Sequence, residues 1–223
     1  MSTTIGIITI GQTPRVDMTP AIRTCLPPDA RLIEKGVLDG KSGSEIAQLF
    51  PEPGQVTLVS RLKDGGSAVM AKEKILSALQ SLIDELNQAG ASLIILACTG
   101  SFPIFKSAVP VIYPDYLLNH VVKGLFRDGQ IGAIVPLPEQ TETIISKWKQ
   151  IGIQACSAAS SPYSFQEEPF IQAVKQLDSS PIEAIVLDCI GYTEEMKRIA
   201  QANTTKPVIL SRNIVYRNAA EIV

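Results

Sequence analysis

Two short apolar runs, Leu93-Ile94-Ile95-Leu96 and Ala184-Ile185-Val186-Leu187, have no polar residue inside them. A run without alternation suits a strand buried on both faces, the kind found in parallel sheets covered by helices. Two further runs, Ile5-Gly6-Ile7-Ile8-Thr9-Ile10 and Ile131-Gly132-Ala133-Ile134-Val135-Pro136, resemble each other and open two successive rounds of the chain. In the first round Thr13-Pro14 reads as a helix start, because proline suits the first helical position, with helix from Met18 to Thr24. The pattern then predicts a strand over Arg31 to Leu38, a short helix over Ser44 to Phe50 capped by Ser42 or Ser44, and a strand over Gln55 to Ser60. Val69, Ile75, Leu76, Leu79, Leu82, Ile83 and Leu86 recur at helical spacing, which predicts a helix from Ala68 to Ala89 stopped by Gly90. A helical turn around Ile104 to Ala108, a strand over Val109 to Tyr113 and a helix over Asp115 to Phe126 complete the round.

The second round repeats the plan. It predicts helix from Glu139 to Ile151, strand at Ile153 to Ala155, helix from Phe170 to Leu177, helix from Glu194 to Asn203, strand over Pro207 to Leu210 and a closing helix over Asn213 to Ile222. The interval from Gly6 to Cys98 exceeds that from Gly132 to Cys189, and the surplus falls mainly between Ala30 and Ser60. Strands alternating with helices give the α/β class. The expected architecture is two similar Rossmann-like βα lobes with mainly parallel sheets and a cleft between them. The first lobe takes residues 1–113 with the extra segment at about 30–60, and the C-terminal helix, 211–223, is a candidate completion of it; the second takes 114–210.

Composition narrows the function classes. At 223 residues, 45% hydrophobic and 19% charged, the chain has enough apolar surface for a real core and no disordered character. A net charge of -2 leaves no basic footprint for nucleic acid. No apolar run is long enough to span a bilayer, and Met1-Ser2-Thr3-Thr4 lacks the features of a secretory leader, so a cytoplasmic setting is expected. The 4 cysteines show no CxxC spacing and are too few for a disulfide framework, so no metal site is predicted. A homo-oligomer is compatible with the sequence.

The chemistry gathers where the two apolar runs stop. Each ends in a cysteine followed by small or polar residues, as Ala97-Cys98-Thr99-Gly100-Ser101 and Asp188-Cys189-Ile190-Gly191-Tyr192. The carboxyl edge of a parallel sheet is where ligands bind, and a following helix turns its free amides toward it. A thiol there ionises more readily and serves as base or nucleophile. Two facing thiols suit inversion at carbon: the thiolate removes a proton from one face and the thiol supplies one to the other. For a carboxylate ligand, Thr99, Gly100 and Ser101 on one side and Gly191 and Tyr192 on the other are placed to offer anion contacts. Gln12, Thr13 and Arg15, at the edge of the first strand, are candidates to complete the pocket; the alternative is a helix cap at Thr13 and a surface Arg15. Arg212 is a cleft candidate beside a capping Ser211, and Arg61, Lys63 and Gly65-Gly66 are either an anion contact or a plain turn. Asp188 stands directly before Cys189, where a negative charge works against the thiolate. Cys25 and Cys156 read as structural or incidental, Trp148 as a packing residue, and the sole histidine, His120, sits mid-helix with nothing to support a serine-histidine or zinc mechanism.

These cysteine segments resemble those of the aspartate/glutamate/hydantoin racemase superfamily. The whole chain resembles the AroM family, from Thr9-Ile10-Gly11-Gln12-Thr13-Pro14-Arg15 through Leu187-Asp188-Cys189-Ile190-Gly191 to the end. The resemblance implies the two-lobed fold and chemistry without a cofactor next to a carboxylate: racemisation, isomerisation of an unsaturated diacid, or decarboxylation of a malonate. Superfamily racemases usually continue the first cysteine with Asn-Thr and often the second with Thr-His, whereas here stand Thr99-Gly100 and Ile190-Gly191. The expected function is a racemase-like or isomerase-like enzyme acting on a small carboxylic acid through Cys98 and Cys189. The alternatives are a small-anion-binding or regulatory protein without turnover, and a malonate-type decarboxylase.

Overall fold

A computed structural model describes residues 3–127 and 129–223. Met1 and Ser2, the start of the segment read for a leader, lie outside the described residues. The chain divides into two compact units, the first ending at Asp115 and rejoined by Val215–Val223, the second running Tyr116–Ile214. Each holds a four-stranded, wholly parallel sheet.

In the first unit β1 (Thr4–Thr9) lies between β2 (Arg31–Gly36) and β5 (Leu93–Leu96), and β6 (Val111–Ile112) forms the far edge. In the second, β7 (Gln130–Val135) lies between β8 (Gln154–Ala159) and β9 (Ala184–Leu187), with β10 (Val208–Leu210) outside β9. The strand order is therefore the same in both. The hydrogen bonds repeat as well: Ala97 N–H donates to Ile8 O at 2.7 Å and Asp188 N–H to Ile134 O at 2.9 Å. Ile94 N–H donates to Pro110 O at 3.0 Å as Ile185 N–H does to Pro207 O at 2.9 Å.

One helix sets the register of each sheet against its core. In the first unit α3 (Leu76–Gln88) buries Leu79, Ile83 and Leu86 against Ile8, Ile94 and Leu96. Its counterpart α6 (Glu167–Asp178) buries Phe170, Val174 and Leu177 against Ile134, Ile185 and Leu187. The central strands carry glycine where these helices come closest. A Cβ on Gly6 would stand 2.6 Å from Leu86 Cδ1, and one on Gly132 would stand 2.9 Å from Ile182 Cδ1 and 3.1 Å from Leu177 Cβ. On the other face of the second sheet, α4 (Pro114–Phe126) and α5 (Thr141–Gln150) cover Ile131, Ala133, Val135 and Val186 with Leu118, Val122, Ile144 and Trp148. The chain passes between the units within α4 and within α8 (Ser211–Ala220). Short α1 (Thr19–Arg23) and α7 (Glu194–Ala202) complete the helices of the two rounds.

The surplus of the first unit is α2 (Gly43–Ala47) followed by an antiparallel hairpin, β3 (Thr57–Arg61) and β4 (Ser67–Ala71). Ser42 caps α2, with its hydroxyl accepting from Glu45 N and the Glu45 carboxylate accepting from Ser42 N, a reciprocal box. The hairpin corrects the expected helix over Ala68 to Ala89. Ala68, Val69 and Met70 pair with β3 through a turn in which Gly65 has φ +94°, and regular helix begins only at Leu76. The Gly65-Gly66 segment is thus a hairpin turn and does not open a helix.

The expected helical turn around Ile104 to Ala108 is also absent, since residues 101–110 run without regular structure. Side chains satisfy the backbone there instead. Phe105 N donates to Tyr113 Oη at 2.8 Å, Lys106 N to Gln80 Oε1 at 2.9 Å and Ala108 N to Asn87 Oδ1 at 3.2 Å. Among the described residues, no helix is long and apolar enough to cross a membrane.

Candidate functional site

Each unit presents a cysteine at the carboxyl edge of its sheet, just beyond the end of the strand that follows α3 or α6. The chain turns there so that the glycine amide two residues on points back at the sulfur: Gly100 N–H to Cys98 Sγ at 3.4 Å, and Gly191 N–H to Cys189 Sγ at 3.3 Å. An N–H aimed at sulfur favours thiolate over thiol. Neither cysteine is in a disulfide; Cys98 is half-buried and Cys189 buried.

Around Cys98, Thr99 is 9% exposed and Ser101 stands exposed in the irregular loop. These residues do not open a helix, so whatever they offer an anion comes from loop amides and hydroxyls rather than a helix terminus. Gly100 packs against Leu58 of β3, where a Cβ would stand 2.8 Å from Leu58 Cδ2.

The loop after β1 is tightly tied. Gln12 donates through Nε2 to Leu38 O at 3.2 Å and accepts through Oε1 from Lys63 N at 3.1 Å. Thr13 caps no helix. Its N–H and hydroxyl donate to the two carboxylate oxygens of Asp39 at 2.7 and 2.6 Å, and Asp39 also accepts from Gly36 N at 2.8 Å. Arg15 is 2% exposed, which overturns the surface alternative. Its guanidinium pairs bidentately with Asp17, both bonds at 2.8 Å, and donates to Thr9 Oγ1 at 2.6 Å and Ser60 Oγ at 3.3 Å. A buried cation is tolerable only with such partners. The loop therefore binds β1, β2 and the hairpin together at the sheet edge.

In the second unit the structure brings Cys189, Ile190, Gly191, Tyr192 and Arg212 together. Buried Arg212, at the start of α8, donates through Nε and Nη2 to Ile190 O at 2.9 and 2.6 Å and so fixes the cysteine loop. Tyr192 is wholly buried against Phe170, and its hydroxyl donates to Ser160 O at 2.7 Å. Burial, and then the negative charges of Cys189, Tyr163 and Asp188, hold this phenol well above its ordinary value of 10.0, so it stays a neutral donor.

Asp188 turns away from the cysteine. Strand side chains alternate in direction, and Leu187 and Cys189 pack in the core of α6 and α7 while Val186 faces Trp148. The Asp188 carboxylate accepts from Lys147 Nζ at 2.8 Å and from Trp148 Nε1 at 3.2 Å, with Lys147 9% and Asp188 0% exposed in their side chains. The Asp188 carboxylate is thus paired on the face of the strand opposite Cys189. Trp148 is a packing residue with this second duty.

The residue that sequence reasoning missed is Tyr163, in the loop after β8. Its hydroxyl lies 3.3 Å from Cys189 Sγ. The signal was Ser160-Ser161-Pro162, turn chemistry at a strand's carboxyl edge, hidden because the strand was expected to end at Ala155. Asp39, after β2, is the corresponding omission in the first unit. Outside these sites, burial raises the Cys156 thiol above its ordinary value, and Cys25 Sγ donates to Ala21 O at 3.7 Å. His120 is exposed on α4 with Nδ1 2.7 Å from Tyr116 O. No metal-binding cluster occurs among the described residues.

Two parallel-sheet βα units are a fold that this chain shares with solved isomerase, racemase and decarboxylase structures. Maleate isomerase Iso from Pseudomonas putida S16 superposes with a TM-score of 0.66 at 13% identity, covering 100% of this chain and 93% of that one. Glutamate racemase from Francisella tularensis subsp. tularensis SCHU S4 gives 0.66 at 16% identity, covering 99% and 81%. Unliganded arylmalonate decarboxylase gives 0.63 at 14%, covering 99% and 92%. At these identities the likeness concerns the fold alone. The chain belongs to the AroM family: the AroM protein model matches residues 5–223. No curated protein matches the chain by sequence.

Proposed function

We propose that the protein is a cofactor-independent racemase-like or isomerase-like enzyme that acts on a small carboxylic acid, with Cys98 and Cys189 as acid and base. The observation that carries this reading is the repetition of one device in both units, a cysteine outside any disulfide at the sheet edge with the glycine amide two residues on aimed at its sulfur. A structural cysteine needs no such donor, since a thiol packs well in hydrocarbon. In the proposed step the thiolate takes the proton next to the carboxylate, the C–H electron pair passes into the enolate, and the second thiol returns a proton to the opposite face. Thr99 and Ser101, with the loop amides around them, are the proposed contacts of the carboxylate in the first unit.

Incubation in heavy water with hydroxy, amino, unsaturated and malonic acids tests the reading. Deuterium incorporation or geometric isomerisation of at least one acid is expected, without added metal or coenzyme. If one acid raises the melting temperature and is recovered unchanged, the chain is a binding protein and the catalytic reading is lost.

A further inference from the structure

We propose that Tyr163 is the hydrogen-bonding partner that adjusts Cys189 to both of its protonation states, a positioning residue acting through the sulfur; this rests on the acid-base reading of Cys189. Its hydroxyl is 3.3 Å from Sγ, within reach for a bond to sulfur. The second donor at this sulfur, Gly191 N–H, can only give a hydrogen bond and so serves the thiolate alone. A phenol differs: it donates to the thiolate and accepts from the thiol. When Cys189 takes a proton from carbon, the S–H bond forms as the C–H bond breaks, and the hydroxyl rotates from donor to acceptor. The sulfur keeps a partner throughout.

The glycine makes room for this contact. A Cβ on Gly191 would stand 2.7 Å from Tyr163 Cε1 and 2.8 Å from both Cζ and the hydroxyl oxygen. The ring therefore sits directly on the glycine whose amide serves the same sulfur, and Gly191 is not among the glycines with positive φ. Its smallness is needed for the tyrosine rather than for the turn. Nearby in sequence or packing, Asp188 is paired with Lys147, the Tyr192 hydroxyl donates to Ser160 O and Arg212 donates to Ile190 O.

The test is the pH dependence of alkylation of the intact protein by iodoacetamide, with Cys98 and Cys189 quantified separately by peptide mass spectrometry. Tyr163→Phe, which keeps the ring, is expected to move the Cys189 profile to higher pH by about one unit, roughly tenfold slower labelling on the rising limb, and to leave Cys98 unmoved. Gly191→Ala keeps the amide and displaces the phenol, so it should produce a similar shift alone and little further shift when combined with Tyr163→Phe. An unmoved Cys189 profile in Tyr163→Phe overturns the proposal, as does a shift common to both cysteines. Failure of the enzymatic reading looks different: no acid exchanges, while the Cys189 shift persists.

Discussion

At the scale of single residues, the pair behind Cys189 decides most. Lys147 and Asp188 are both out of water, and a buried ion pair is costly to leave half-made. Lys147→Met strands the carboxylate and should lower unfolding free energy by about 3–5 kcal/mol, whereas the double change with Asp188→Asn should recover most of the loss. Denaturant titration of both variants checks this; equal losses in the single and double variants would contradict a charge origin. Tyr192 makes a pH prediction of definite sign. Its folded value is raised, so below about pH 10 both states hold the proton and its contribution is constant. Above that, the unfolded chain releases the proton while the folded one keeps it, and stability falls by about 1.4 kcal/mol per pH unit. Tyr192→Phe should lose about 1–3 kcal/mol at neutral pH by stranding Ser160 O, yet fall less steeply above about pH 10, as unfolding curves across that range would reveal.

At the scale of elements, close approach of backbone to backbone separates one glycine from another. A Cβ on Gly11 would stand 2.3 Å from Arg61 O and 2.5 Å from Ser60 Oγ, where the loop after β1 meets the hairpin. At Gly6 the obstacle is the end of a leucine side chain, which can turn aside. Gly11→Ala should therefore cost about 1–3 kcal/mol and Gly6→Ala distinctly less, read as midpoints at unchanged denaturant slope. The two glycines also mark what was legible in the sequence. The central strands announced themselves as unbroken apolar runs, and with them the parallel sheets and the position of both cysteines. Ala68-Val69-Met70-Ala71 did not, because its residues suit a helix locally and only pairing with Thr57–Arg61 makes them a strand. The edge strand β8 is Gln-Ala-Cys-Ser-Ala-Ala, small and half-exposed, so its end was misplaced and Tyr163 with it. A surface Arg15 stood as an alternative to a pocket role because two of its partners, Thr9 and Ser60, come from other segments of the chain.

At the scale of the whole molecule, the chain is one plan carried out twice, and each round supplies a single thiol at its sheet edge. Under the proposed mechanism one unit's cysteine abstracts a proton and the other's returns one, so the two sulfurs would act as a unit, and groups that act as a unit lose activity non-additively. Cys98→Ser and Cys189→Ser should each slow interconversion of a chiral acid by about 10²- to 10⁴-fold, with the double variant little slower than either. The distribution of loss discriminates mechanisms. Release of CO₂ needs one proton donor, so a decarboxylase would lose its activity with one cysteine and keep it without the other. A bifunctional thiol reagent short enough to bridge only neighbouring sulfurs adds an independent measure: the proposed mechanism requires it to join the Cys98 and Cys189 peptides, and the acid that turns over to block the joining. Full activity in either serine variant with a racemic product would refute two-thiol inversion, whatever the structure of the two lobes.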